Sequence, residues 1–310
     1  MAEQGRNVAN IIWEVCREQG IHCTAFSAGW LFELEKGGQK RHVLGHQFGL
    51  NSAISAALCT DKAAASQVLL HNGIPAVPHW LFVAPDHAKY VEKEGSWGRL
   101  LQLLKEHGAL VCKKNEGSGG IEVYKAADAF ALEAATYQLL GKARAMAVCP
   151  YYDIQQEYRV VVMDGEAKLV FAKEIDSVTG DGLRTMRQLA EAFFPGPSPV
   201  GAAASELETP EAIPAKGEVK RLYWKHNLGL GATALVLEEG ELRGGLAALA
   251  LGAAQALGIS FASVDVVDTC QGRMVLEVNS GVMLEYFSKM SKENYQIAKA
   301  IYSEAICRMF

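Results

Sequence analysis

Apolar positions along the chain follow two periods, and the change between them predicts the elements. Between residues 5 and 20, Val8, Ile11, Ile12, Val15 and Cys16 recur at helical spacing and Gly20 closes the run. That pattern predicts a helix, with a strand expected over 21–27. Thr60 or Asp61 can cap a helix over 62–71 that ends at Asn72-Gly73. Pro75 and Pro78 prevent its continuation, and a strand is expected over 80–83. A strand ending at Lys113-Lys114 runs into a glycine-rich loop, and a second strand leaves it. Residues 157–162 and 168–172 predict a hairpin around Asp164-Gly165. Helices are expected from Thr185 to before Pro195, over 246–257 and over 293–309. The last turns Tyr295, Ile297, Ala298, Ile301 and Ile306 toward a core. The run Pro195–Ser205 reads as a loop, and no internal repeat is found.

Candidate chemistry concentrates in the apolar, β-branched runs 261–267 and 274–279, a strand pair joined by a glycine-containing turn. Glu277 and Asn279, two residues apart, leave the same strand face about 6.6 Å apart. Asp265 on the preceding strand can face the same side. Three oxygen donors on one sheet face suit a hard cation such as Mg²⁺, with Mn²⁺ as an alternative. The plainer alternative is a set of solvated acids on the open face of an antiparallel sheet.

Three other stretches fit a nucleotide. Glu116-Gly117-Ser118-Gly119-Gly120 follows Lys113 at a strand end, and its glycines let backbone N–H groups approach a phosphate. It is not a Walker loop, because GxxxxGK[ST] is absent. Lys62 stands in the first turn of its helix, where the ammonium and the positive helix end can attract one anion together. Pro150-Tyr151-Tyr152 interrupts an apolar segment and offers an adenine slot, with Glu157 placed for ribose hydroxyls. Each is individually ordinary: hairpins use glycine, tyrosine pairs fill cores, and strand-end glutamates are solvated. His42 and His46 are four apart, but Gly45 between them and the lack of a completing acid make them loop histidines.

Composition narrows the class. The 310 residues are 50% hydrophobic and 21% charged, with a net charge of −5. Two or three domains or one large α/β unit are expected, with no basic stripe for nucleic acid. Seven cysteines, among them Cys16, Cys59, Cys149 and Cys307 in mostly apolar surroundings, form no CxxC pair. A reducing cytoplasm is therefore expected, without disulfides or structural zinc. The N-terminus has no signal-peptide pattern, and no run is long enough to span a bilayer.

In chain order, SAISAALCTDKAAASQVLLHNGIP, KKNEGSGG, QEYRVVVMDGE, VTGDGLRTMRQL, IPAKGEV…KHNLGLGA, ALGISFASVDVV and LEVNSG resemble the ATP-grasp superfamily. Within it they are most similar to the ATP-grasp module of cyanophycin synthetases and bifunctional glutathione synthetases. The resemblance runs from about Asn51 onward. It implies an α+β (α/β) fold in which two subdomains clamp ATP, divided as a short N-terminal α/β region (1–60), a small subdomain with the lid (61–148) and a large subdomain with the metal site (149–310). Carried over, Lys62 and Lys113 approach the ATP phosphates, Gly117–Gly120 is the lid, Pro150–Tyr152 the adenine hinge and Glu157 the ribose acid. Asp265, Glu277 and Asn279 resemble the Mg²⁺ ligands. Arg159 and Lys173 lie where bases meet the phosphates or the acyl group, and Asn227 lies where γ-phosphate and acceptor meet. The implied reaction joins a small carboxylic acid, an amino acid or peptide, to an amine through an acyl phosphate, with ADP and phosphate released. A phosphotransferase on the same fold and a nucleotide-binding module without turnover are the alternatives.

The departures concern the substrates. Lys113-Lys114 replaces the usual Lys-Pro, and Ser280-Gly281-Val282 follows the EVN motif. Tyr223 and Trp224 replace the paired arginines expected before Asn227, with Lys225 and His226 as substitutes. The short N-terminal region implies a small substrate or a contribution from a second copy in a homodimer. Glu285 is equally placed to receive an amino group or to be a surface helix residue.

Overall fold

The computed structural model describes residues 5–90, 96–117, 119–193, 207 and 209–310. Helix α1 (Asn7–Glu18) buries Val8, Ile11, Ile12, Val15 and Cys16 as its periodicity predicts. It is followed by an antiparallel meander of β1 (His22–Phe26), β2 (Leu31–Lys36) and β3 (Gln39–Leu44). Only the first of these strands is expected from the sequence. The β2–β3 hairpin was nevertheless legible: Phe32 and Leu34 alternate with polar residues, and Gly37-Gly38 (φ 58° and 77°) makes the turn.

Helices α2 (Ala53–Thr60) and α3 (Lys62–His71) carry side-chain caps from Ser52 and Asp61. A four-stranded antiparallel sheet then forms from β4 (Trp80–Val83), β5 (Leu110–Lys114), β6 (Val123–Ala126) and β7 (Ala145–Pro150), in the order β4-β7-β5-β6. It packs on α4 (Trp97–His107) and α5 (Ala129–Leu140) through Phe82, Leu103, Leu110, Cys112, Leu132 and Leu139.

The largest sheet has the order β12-β9-β8-β13-β14 and comprises β8 (Ile154–Met163), β9 (Glu166–Glu174), β12 (Thr233–Val236), β13 (Phe261–Thr269) and β14 (Gly272–Asn279). Beside it, β10 (Ser177–Thr179) pairs with β11 (Val219–Arg221) near α6 (Met186–Phe193). Helices α7 (Glu241–Ala256), α8 (Glu285–Met290) and α9 (Lys292–Cys307) complete the described elements. The loop expected over 195–205 lies outside the described residues.

The period of two along each strand gives this sheet two faces with different work. On one face Val160, Val162, Val170, Val264 and Val266 pack on α7 and α3. On the other, Val161, Met163, Phe171 and Phe261 pack on α1 and α9. That second face then changes character along the strands: Glu157, Arg159, Lys173 and Asp265 continue it, and all but the part-buried Arg159 are fully buried. A buried charged stretch on an otherwise apolar face needs a specific reason, because each charge must be paired there.

The division expected at residue 61 does not coincide with a break between cores. Ala65 and Leu69 of α3 pack in the large-sheet core, and Val77 N–H donates to the Val275 carbonyl at 2.9 Å. The core of the four-stranded sheet is built from residues 80–148.

Glu285 is neither an amine receptor nor a surface residue. Its carboxylate accepts from the backbone N–H groups of Asn7 (3.0 Å) and Val8 (3.1 Å) and pairs with Lys289 at 2.6 Å. It thus caps α1, whose own N-cap Arg6 offers no side-chain bond. Burial acts to raise its carboxyl, but Lys289 and the two N–H groups outweigh that and lower it below the ordinary value. A lowered carboxyl stabilises the fold above its unfolded pKa, and that contribution is lost as pH falls through the folded value. Glu285→Gln is therefore expected to cost about 1–2 kcal/mol near neutral pH. In urea titrations the gap from wild type should shrink below about pH 4; a gap unchanged in acid contradicts the capping role.

Candidate active site

A cavity of about 600 Å³ lies between the four-stranded and five-stranded sheets. Lys62, Lys113, Glu116, Gly117, Gly119, Gly120, Pro150, Tyr151, Tyr152, Glu157, Arg159, Lys173, Asn227, Asp265, Glu277 and Asn279 all line it. Ser118 lies outside the described residues. Thus the site residues read from separate stretches converge on one concavity.

One end is apolar. Val77, Val111, Cys149 and Val267 form a cluster against which Tyr151, Tyr152, Ile154, Trp224 and Leu276 pack. Tyr151 meets Trp224 edge-on at 5.9 Å, and the Lys125 ammonium sits 3.7 Å from the Tyr151 ring centre. At the interrupted strand the Tyr151 N–H donates to the Ala109 carbonyl at 2.9 Å. That end of the cavity is therefore defined by its apolar walls.

The glycine loop covers the middle of the cavity and is tied on two sides. The Lys62 ammonium donates to the Gly117 carbonyl, and Asn227 Nδ2 donates to the Gly119 carbonyl at 2.7 Å. Asn227 Oδ1 also accepts from the Gly229 N–H at 2.8 Å, so this one amide couples the lid to the 227–231 loop. Gly120 has φ 70°, and a Cβ there would lie 2.9 Å from Asn227 Nδ2. Gly120→Ala combines left-handed strain of about 1–2 kcal/mol with displacement of Asn227. It is expected to raise the KM for ATP about 5–30-fold. An unchanged KM would show that the lid does not close through Asn227.

The N-terminus of α3 departs from expectation. Its Ala63 and Ala64 N–H groups are taken by the Asn115 and Asp61 side chains at 3.1 and 2.8 Å. The helix end therefore offers no free donors there, and only the Lys62 ammonium faces the cavity. Burial lowers the Lys62 pKa, opposed by Glu277 and assisted by Lys113, which places these three groups within electrostatic reach. Lys113 is 7% exposed, lines the cavity and has no hydrogen-bond or ion-pair partner among the described residues.

On the large sheet, register fixes the charged face. Asp265 lies opposite Glu277 on one side and Arg159 on the other, while Ser263 faces Asn279 and Glu157 faces Lys173. A bulge follows Asp265, so Leu276 is skipped and Glu277 stays aligned with Asp265. Arg159 clasps Asp265 bidentately at 2.8 and 2.7 Å. The Lys173 ammonium bridges Asp265 Oδ1 (3.0 Å) and Glu157. Burial acts to raise the Asp265 carboxyl, but Arg159 and Lys173 overcome it and hold it low. For Glu157 burial prevails over Lys173, and its carboxyl is raised.

This donor set fits a magnesium ion in a particular way. Glu277 and Asn279 present oxygens to the cavity, linked by an Asn279 Nδ2 to Glu277 bond of 3.2 Å. Asp265 is already tied to two cations, and no group of three His, Cys, Asp or Glu side chains is arranged to hold a metal among the described residues. One or two carboxylates plus phosphates and waters are what Mg²⁺ ordinarily takes.

Other lining residues were not anticipated. Trp30, Leu44, His46 and Gln47 from the N-terminal region, with Met283 and Tyr286, close the far end. His46 is a loop histidine as expected, but its loop is a cavity wall. His226, expected as a substitute for one of the arginines, donates from Nδ1 to the Lys173 carbonyl (3.0 Å), and burial lowers its pKa. No spacing in the sequence signals Trp30, Leu44, Gln47, Met283 or Tyr286, because their elements meet only through the tertiary fold.

The protein has the ATP-grasp fold, and residues 219–303 match the profile of the RimK-like ATP-grasp domain. Among curated proteins it is similar to the cyanophycin synthetase of Nostoc sp., with 23% identity over 303 residues covering 92% of this chain and 32% of the relative. It thus spans about a third of that protein's length. A bifunctional glutathione synthetase from Pasteurella multocida superposes with a TM-score of 0.53 at 18% identity, covering 97% of this chain and 44% of the other. A D-alanine–D-alanine ligase from Bacillus anthracis gives 0.54 at 16% identity, covering 84% and 71%. No described helix is long and apolar enough to cross a membrane.

Proposed function

We propose that the protein is an ATP- and Mg²⁺-dependent carboxylate–amine ligase that works through an acyl phosphate. The observation that carries this reading is Lys113, a buried cation with no ion-pair partner among the described residues, lining the cavity with Lys62 and the glycine loop. A buried ammonium of this kind is stable once an anion arrives, and a polyphosphate matches the paired lysines. The adenine would lie in the slot of Tyr151, Tyr152, Val111 and Val267, with Glu157 as the acid nearest the ribose and Pro150 at the hinge. Glu277 and Asn279 would hold the magnesium, with Asp265 completing the set as far as Arg159 allows. Bound magnesium supplies neutralisation of phosphate charge.

The chain's own residues do the rest by positioning and charge. Lys62 and Lys113 hold the phosphates. Arg159 and Lys173, fixed by Asp265 and Glu157, present positive charge where the acyl oxygen develops negative charge. Gly117, Gly119 and Gly120, with Ser118 and Glu116, exclude water, and Asn227 links that closure to the acceptor loop. A carboxylate oxygen of the acid attacks the γ-phosphorus and ADP leaves. The amine then attacks the acyl carbon, phosphate leaves, and the amine proton goes to solvent. The identity of the fold with ligases such as the two superposed enzymes supports the reaction class. The unpaired state of all seven cysteines supports a cytoplasmic setting, although Cys307 proves exposed. The substrates are small molecules, and a homodimer is the expected assembly.

ADP and phosphate release, measured against amino acids singly and in pairs, tests the proposal. A ligase requires an acid and an amine and frees phosphate. Phosphate retained on a single substrate identifies a phosphotransferase, and binding without ADP release identifies a nucleotide-binding module.

A further inference from the structure

The cavity changes character at the end closed by the N-terminal region. Among its lining residues drawn from 30–47 and 280–286, none carries a formal charge. Trp30 and Tyr286 are 49% and 45% exposed and Leu44 is 52% exposed, so these apolar surfaces face open space rather than a packed core. The charged lining residues Lys62, Lys113, Glu157, Arg159, Lys173 and Glu277 all come from elsewhere in the chain.

This uncharged end is held in shape. Trp30 lies against Gly45, where a Cβ would come within 2.6 Å of its ring, and the Gly45 N–H donates to the Trp30 carbonyl at 2.8 Å. The ring meets His46 edge-on at 6.0 Å. Burial and the nearby Arg6 lower the His46 pKa, and its Nδ1 is buried without a partner among the described residues. Arg6 stacks on Trp30 at 4.8 Å and donates to the Gly29 carbonyl, and it is not among the lining residues. Gln47 ties the wall to the strand-end loop through Ser280, 2.8 Å away. Ser280 directly follows Asn279, so the uncharged end begins where the phosphate-transfer end stops.

We infer that this end is the subsite for the body of the acid substrate, and that it takes an uncharged apolar or aromatic carboxylic acid. This deepens the ligase reading and rests on it. The reacting carboxylate must lie near Asn279 and Lys113, so the remainder of the acid extends between Trp30 and Tyr286. An aspartate, glutamate or arginine side chain placed there would meet apolar walls and no counter-charge. Leucine- or phenylalanine-like bodies instead bury apolar surface against Trp30, Leu44 and Met283.

The test uses the full chain with ATP, Mg²⁺ and hydroxylamine in place of the amine. The γ-phosphoryl group passes to the acid and ADP leaves. Hydroxylamine nitrogen then attacks the acyl carbon, releasing phosphate and a hydroxamate. Leucine, methionine and phenylalanine should exceed aspartate, glutamate and arginine by about 100-fold in kcat/KM. Leu44→Arg, at a half-exposed position that tolerates the change, should narrow the gap for aspartate at least about tenfold. Equal or better use of charged acids, or an unchanged ranking in Leu44→Arg, overturns the inference. If no acid yields ADP, the ligase reading falls, and calorimetry with the same acids and a non-hydrolysable ATP analogue decides the subsite. Tighter binding of the uncharged acids sustains it; equal affinity, a preference for charged acids or no binding overturns it.

Discussion

Lys113→Ala is expected to weaken ATP binding about 100-fold, the equivalent of losing about 3 kcal/mol of charge-assisted contact. The expectation follows from burial and pairing taken together. Lys113, the penultimate residue of β5, is held by pairing with both β6 and β7 and lines the cavity without a side-chain partner among the described residues. A buried charge in that condition destabilises the free protein. The same substitution should therefore leave thermal stability without ligand unchanged or slightly raised, while removing most of the stabilisation that ATP confers. Calorimetry and melting curves with and without nucleotide separate the two effects. Unchanged ATP affinity, or a large loss of stability without ligand, would assign Lys113 to the core instead.

Asp265 and Glu277 are expected to respond in opposite ways although they face each other across two strands. Asp265 neutralises Arg159 and Lys173, so Asp265→Asn leaves one buried and one part-buried cation short of counter-charge. A loss of about 3–5 kcal/mol is expected, enough to lower the urea midpoint severely. Glu277 accepts one weak bond, from Asn279, and otherwise faces the cavity. Glu277→Gln should leave the midpoint nearly unchanged and reduce turnover at least about 1000-fold, about 4 kcal/mol of barrier. Its Mg²⁺ dependence should shift to higher concentration. If both variants lose stability equally, Glu277 belongs to the ionic lattice of the sheet; if neither loses turnover, the metal lies elsewhere.

The contrast shows what a sequence can disclose about such a site. Glu277 and Asn279 are legible because a strand's period of two puts them on one face whatever the tertiary context. Lys113 and the glycine loop are legible because a strand end and a run of left-handed turns are local. The asymmetry between Asp265 and Glu277 is not local. It depends on Arg159 and Lys173 arriving from two other strands in a register that no single segment encodes. The same applies to Glu285, which caps a helix almost the whole chain length away. The N-terminus of α3 shows the reverse error. A free positive helix end is a fair local expectation, but Asn115 from β5's exit occupies it. The β2–β3 hairpin could have been read from Gly37-Gly38 and its flanking alternation. Its role as a cavity wall could not, because Trp30 and His46 meet Tyr286 only after the chain has returned from its far end.

A structure of the protein with Mg²⁺ and a non-hydrolysable ATP analogue tests the central claim most directly. The account predicts the triphosphate between Lys62 and Lys113 under the glycine loop, the adenine against Tyr151 and Val267, and magnesium at Glu277 and Asn279. A nucleotide bound outside this cavity, or within it with Lys113 turned away from the phosphates, would contradict it.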